Sequence, residues 1–165
     1  MGYLVRYIKF LIKSTNQYGI HSPFVFNYLT QCLYQKPKKS KHKVEDILVK
    51  SISYFEAENI MIYGNATLQK LLIHCFPKVS EKSGPIDVLY FDTPSGRLSK
   101  DVFSNFPLHN ESLIVFNKIH SSKKAFIHWN QYVLSQKATV TIDLFYCGLV
   151  FLRQEQVKQH FIIRI

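Results

Sequence analysis

Three short apolar runs, each closed by a polar residue, punctuate the middle of the chain: NIMIYGN (59–65), IDVLYFD (86–92) and SLIVFNK (112–118). They are rich in β-branched and aromatic residues, and each is followed by a stretch with helical periodicity. That is how the strands of a parallel sheet look when helices cover both faces, so the pattern predicts an α/β fold. Open α/β sheets bind ligands in the crevice beyond the carboxyl ends of their strands. The residues at those ends, Gly64, Asn65, Asp92, Asn117 and Lys118, are therefore the first candidates for a functional site.

The remaining pattern fills in around these strands. YLVRYIKFLIK (3–13) predicts an amphipathic helix with Arg6, Lys9 and Lys13 on one stripe and Leu4, Val5, Ile8, Leu11 and Ile12 elsewhere. Docking on its own domain or on a second subunit is the expectation for this helix, with an anionic membrane surface as the alternative. Ser22 and Pro23 open a second helix as cap and first residue. KPKKSKHK (36–43) reads as a basic loop, and residues 45–55 as a helix leading into the first strand. Asn65 caps a helix to about residue 76, followed by a lysine-rich loop over 78–85. Further helices are predicted at 99–106 and, capped by Ser121 or Ser122, to about 135. TVTIDLF (139–145), a YCG turn with Gly148 and LVFLR (149–153) predict a β-hairpin, and 161–165 a last short strand.

Composition narrows the class. The chain has 165 residues, enough for one domain with a real core, and 47% of them are hydrophobic. A net charge of +10 favours acidic partners such as nucleic acid, anionic lipid or a phosphorylated substrate; lysine that merely keeps an aromatic-rich protein soluble is the alternative. Lys36, Lys38, Lys39, Lys41 and Lys43 form the densest basic patch, read as a phosphate contact or a solvated linker. Cys32, Cys75 and Cys147 are odd in number and widely spaced, which predicts reduced, mostly buried thiols in a cytoplasmic protein rather than a disulfide framework. No secretory leader and no membrane span is expected from the apolar runs, since charged residues interrupt them.

At the strand ends, Asp92 is the carboxylate suited to orienting a substrate or binding a proton. Lys118 brings positive charge beside it, so a Lys118–Asp92 ion pair is expected and no metal site. His120 is a candidate base near neutral pH, with a surface residue as the simpler alternative. A single glycine, Gly64, follows the first strand, whereas a phosphate-cradling loop needs several.

Two stretches carry a family likeness. YGIHSPFVF (18–26) is similar to an N-terminal signature of the form HGxHSPFVF. ESLIVFNKIHSSKKAFIHWNQYV followed by TVTIDLFYCGLVFLRQEQVKQHFIIR looks much like the last third of the same group. On these residues the chain resembles class I S-adenosylmethionine-dependent methyltransferases, within them one bacterial subgroup. The resemblance implies a reduced Rossmann-like sheet of about five strands, mostly parallel, ending in an antiparallel β-hairpin, with N-terminal helices packed on it. Residues 1–43 would hold those helices and the basic linker, and residues 44–165 the reduced domain, together one compact unit.

The middle of the chain departs from that family. Ile62 stands where its members carry an acid, and Asn65, Ala66 and Thr67 stand where they carry glycines. The strand whose terminal acid binds the ribose has no counterpart, and Asn117-Lys118 replaces an acidic pair. The resemblance thus implies a degenerate, non-catalytic methyltransferase-like protein, without cofactor, acting as a binding or interaction module. One alternative is an active S-adenosylmethionine-dependent methyltransferase on a small or phosphorylated acceptor, with Gly64 and Asn65 touching cofactor, Asp92 orienting the acceptor and His120 as base. Another is a nucleic-acid binder using 36–43, Lys78 and Lys82. A sheet edge left open by missing strands calls for cover from the N-terminal helices, a protein partner or a homodimer.

Overall fold

The computed structural model describes residues 2–76, 84–94 and 101–165. Its strands are β1 (Ile60–Tyr63), β2 (Ile86–Phe91), β3 (Leu108–Asn117), β4 (Val140–Asp143), β5 (Cys147–Phe151) and β6 (Gln159–Ile162). The helices are α1 (Tyr3–Lys13), α2 (Pro23–Tyr28), α3 (Lys43–Tyr54), α4 (Ala66–Cys75), α5 (Val102–Asn105) and α6 (Lys123–Leu134), with a π-helical turn, Leu29–Leu33, extending α2. The lysine loop over 78–85 and the start of the helix expected at 99–106 fall largely outside the described residues, as do Lys78 and Lys82.

All six strands join one sheet in the order β1-β2-β3-β5-β4-β6. The pairs β1–β2, β2–β3 and β4–β6 are parallel, whereas β5 runs antiparallel to both β3 and β4. The protein is thus α/β with one strand more than the five expected. The last short strand expected at 161–165 is β6, found at Gln159–Ile162, and it is bridged to Thr15 through Ile163. Strand β3 also starts earlier than its apolar run, at Leu108, because a register shift lets the polar HNE segment continue alongside Ile86.

Alternating side chains feed two cores. On one face Val88, Tyr90, Leu113, Val115, Leu149 and Phe151 meet α2, α3 and α4; on the other Leu89, Phe91, Ile114, Phe116 and Val150 meet Val102, Trp129 and Tyr132. Residues 113–116 are fully buried, as expected for a strand covered on both sides. Local signals fixed the helix starts: Ser22, Asn65 and Ser122 each accept a hydrogen bond from the amide three residues on.

Two expectations need correction. Gly148 does not make the hairpin turn. It lies inside β5, where an added Cβ would come within 2.4 Å of the Trp129 ring, and the turn residue with left-handed backbone is Phe145 (φ 68°). The thiols are mostly buried as expected, Cys32 and Cys147 inside and Cys75 exposed; burial raises the Cys32 thiol to about 12. The N-terminal helices do not cover the outer edge of β1. Instead, α2 packs on β5 through Phe24 and Tyr28 against Phe151, and α1 packs on the β4–β5 turn through Tyr3, Tyr7 and Phe10 against Phe145. Among the described residues, no strand pairs with that outer edge, and no helix is long and apolar enough to cross a membrane.

Replacing Gly148 with alanine is expected to cost about 1–3 kcal/mol of stability, since Trp129 is fully buried and has no room to retreat. Chemical denaturation of the variant measures this; an unchanged midpoint would mean the ring can shift.

Candidate functional site

Strands β1, β2, β3, β4 and β6 point the same way, so their carboxyl ends share one end of the sheet. The backbone there turns sharply. Gly64 (φ 84°), Lys118 (φ 59°) and Phe145 (φ 68°) all adopt left-handed conformations immediately after or near a strand end. For Lys118 and Phe145 such a conformation costs about 1–2 kcal/mol each, recovered from the contacts it permits. At Gly64 a Cβ would approach the Asp92 Cβ to 3.1 Å, so glycine also lets the first two strand ends close together.

Four of the candidate residues, Asn65, Asp92, Asn117 and Lys118, join one hydrogen-bond cluster through Tyr90. The Lys118 ammonium lies 2.5 Å from Asp92 Oδ2, forming the ion pair expected from the sequence. Asn117 Nδ2 donates to Asp92 Oδ1 (3.1 Å) and to the Tyr90 hydroxyl (2.9 Å), and the Tyr90 hydroxyl donates to Asp92 Oδ1 (3.1 Å). Asn65 caps α4 by accepting from the Leu68 amide and also hydrogen-bonds to Tyr90. Gly64 contributes only by its close approach to Asp92. Burial alone would raise the Asp92 pKa, but the hydrogen bonds from Lys118, Asn117 and Tyr90 and the charge of Lys118 hold it below its ordinary value. Burial and the neighbouring carboxylate push the Tyr90 hydroxyl well up, so it stays a neutral donor.

His120 is not a surface residue. It is 8% exposed, and its Nε2 donates to Asp143 Oδ2 at 2.7 Å. Asp143, 3% exposed, accepts the Phe145 amide on its other oxygen (2.8 Å). The imidazole stacks on Phe145, with centroids 4.7 Å apart. A buried carboxylate must be paired, and His120 supplies the partner. This pair borders a cavity of about 190 Å3 roofed by Arg6, Lys9 and Lys13 of α1. Asp143 was missed in the sequence, although TVTID ends on an acid just as IDVLYFD does, and that shared position was the available signal. The structure does not bring Asp92 and His120 into one cluster, since each has its own partners.

The basic loop is folded rather than a free linker. Asp46, at the start of α3, accepts the amides of Lys39 (2.5 Å) and Ser40 (3.3 Å) and pairs with Lys50 (2.8 Å). Burial would raise the Asp46 pKa, but those bonds lower it. The loop borders a cavity of about 630 Å3 lined by Lys36, Lys38, Lys41 and Lys43 together with Leu33, Tyr34 and Ile165. Lys43 also lies over the Tyr146 ring, tying α3 to the β4–β5 turn. Lys39 contributes its amide and does not line the cavity. Among the described residues, no three acidic, histidine or cysteine side chains converge as a metal site would require.

The site has two consequences that experiment can check. Asp46 and Asp92, together with Asp87 at the amino end of β2, which accepts the Glu58 and Asn59 amides and pairs with His109, all have folded pKa values below the ordinary 3.8. Their contribution to stability is therefore full above that value and is lost as pH falls through their lower folded values, so the acid limb of a pH–stability curve should begin below about 4. Lys118→Gly should return the Asp92 pKa toward 3.8 in a carboxyl-carbon NMR titration. Its stability should stay within about 1 kcal/mol, because relief of the left-handed backbone offsets a half-exposed ion pair.

Comparison with known proteins adds no relative: no family model, curated protein or solved structure matches this chain.

Proposed function

We propose that this chain is a methyltransferase-like protein that no longer handles S-adenosylmethionine and serves as a binding module. The observation that carries the reading is the state of Asp92. Its carboxylate is already engaged by the Lys118 ammonium, Asn117 and Tyr90. The residues present do not fit the cofactor. A sulfonium brought to these strand ends would meet the ammonium of Lys118 where a negative group is wanted. The ribose hydroxyls would lack an acid from a following strand, and Ile62 offers no polar group. Each buried hydroxyl left without a partner costs about 1–3 kcal/mol, enough together to abolish useful affinity.

Support for the methyltransferase-like part comes from strand order. A reversed strand inserted between two parallel neighbours, β3-β5-β4, is what the sequence resemblance implies for the end of a Rossmann-like methyltransferase sheet.

One observation favours the active alternative. An imidazole held by a buried carboxylate, as His120 is by Asp143, is the arrangement that orients a general base. Isothermal titration calorimetry of the folded protein with S-adenosylmethionine and S-adenosylhomocysteine separates the two. We expect no heat from either ligand at millimolar concentration. Micromolar binding would overturn the non-catalytic reading and turn attention to acceptors near His120.

A further inference from the structure

Helix α1 is attached the opposite way round from an ordinary surface helix. Its aromatic side, Tyr3, Tyr7 and Phe10, rests on Phe145, and its basic stripe roofs the His120–Asp143 cavity. Its aliphatic side faces outward: Leu4 is 68% exposed, Val5 44%, Ile8 48% and Ile12 78%. Leu4, Ile8 and Ile12 follow one another at four-residue intervals, so they form a continuous apolar stripe about 12 Å long. A contiguous apolar stripe on a soluble domain marks an interaction surface.

Charge indicates what covers it. Lys9 and Lys13, both exposed, border the stripe on the next sector of the helix. The Arg6 guanidinium donates to the Ser121 carbonyl (3.1 Å), which sets α1 beside the start of α6, where Lys123 and Lys124 are exposed. The first turn of α1 holds no acid. A second copy laid on the stripe would bring the same lysines against one another in a chain of net charge +10. An anionic bilayer satisfies both parts at once: aliphatic side chains enter the acyl boundary while the lysines remain with the headgroups.

We propose that α1 docks this protein on anionic membrane surfaces, lying in the interfacial plane with Leu4, Val5, Ile8 and Ile12 inserted. The helix is already held by its aromatic side, so the stripe is presented without refolding. The proposal goes beyond the methyltransferase-like reading and stands whether or not the strand-end crevice takes a cofactor.

Flotation of the full chain with phosphatidylglycerol–phosphatidylcholine vesicles, against vesicles of phosphatidylcholine alone, tests it. Binding is expected to the anionic vesicles and to weaken by at least about tenfold without the anionic lipid, and likewise as salt screens the lysines. The double variant Ile8→Ser/Ile12→Ser removes exposed side chains, so the fold is kept, and should lose at least about tenfold in affinity. A folded wild type that stays with neither vesicle overturns the proposal, as does binding that survives Ile8→Ser/Ile12→Ser. Sedimentation equilibrium covers the other occupant: a dimer that the same double variant dissociates would assign the stripe to a second copy and overturn the membrane reading.

Discussion

The reversed insertion of β5 between β3 and β4 is the constraint on which the other features depend. Because β5 runs antiparallel to both neighbours, β4 is parallel to β3, and their carboxyl ends emerge side by side. That alone brings Asp143 near His120 and gives α1 a turn to rest on. Close approach of Trp129 to Gly148 holds the arrangement from behind, where any side chain on residue 148 would displace the ring. A hairpin placed at the sheet edge would have scattered these groups.

Charge at the strand ends follows from this geometry. Each of two acids there has been given a basic partner, Asp92 with Lys118 and Asp143 with His120, and on α3 Asp46 pairs with Lys50. The cations of α1 and of the 36–43 loop stand over and beside them. The end of the sheet where comparable folds bind their ligands is therefore predominantly basic. Its acids are committed to holding the protein's own loops and imidazole, which suits a surface that attracts anions better than one that stabilises a sulfonium.

How much of this was legible in the sequence depended on the range of the interaction. Strand runs, the caps Ser22, Asn65 and Ser122, and the pairing of Asp92 with Lys118 at neighbouring strand ends could be read, because each rests on local pattern or on strands adjacent in order. Gly148 could not: a glycine required by a turn and one required by a ring packed from a distant helix look alike along the chain. His120 and Asp143 are 23 residues apart, and nothing local to His120 announces a buried partner. The basic loop looked solvated because its lysines are exposed. What orders it is its amides on Asp46, and backbone amides leave no trace in composition. In α1 the periodicity was plain, but which side would face inward depended on three aromatic residues finding Phe145.

The bridge between Thr15 and Ile163 carries a consequence for how the chain reaches this state. The Thr15 amide donates to the Ile162 carbonyl (2.9 Å), the Arg164 amide donates to the Thr15 carbonyl (3.2 Å), and the Tyr34 hydroxyl donates to the Arg164 carbonyl (3.2 Å). Residues made early in synthesis are thus fastened by residues made almost 150 positions later. Until β6 has emerged and paired with β4, Thr15 lacks its partners at Ile162 and Arg164, and the outer side of β4 lacks its neighbour. Closing so long a loop is slow and comes last. The aliphatic helix α1 is therefore made well before the strand that fastens the segment following it.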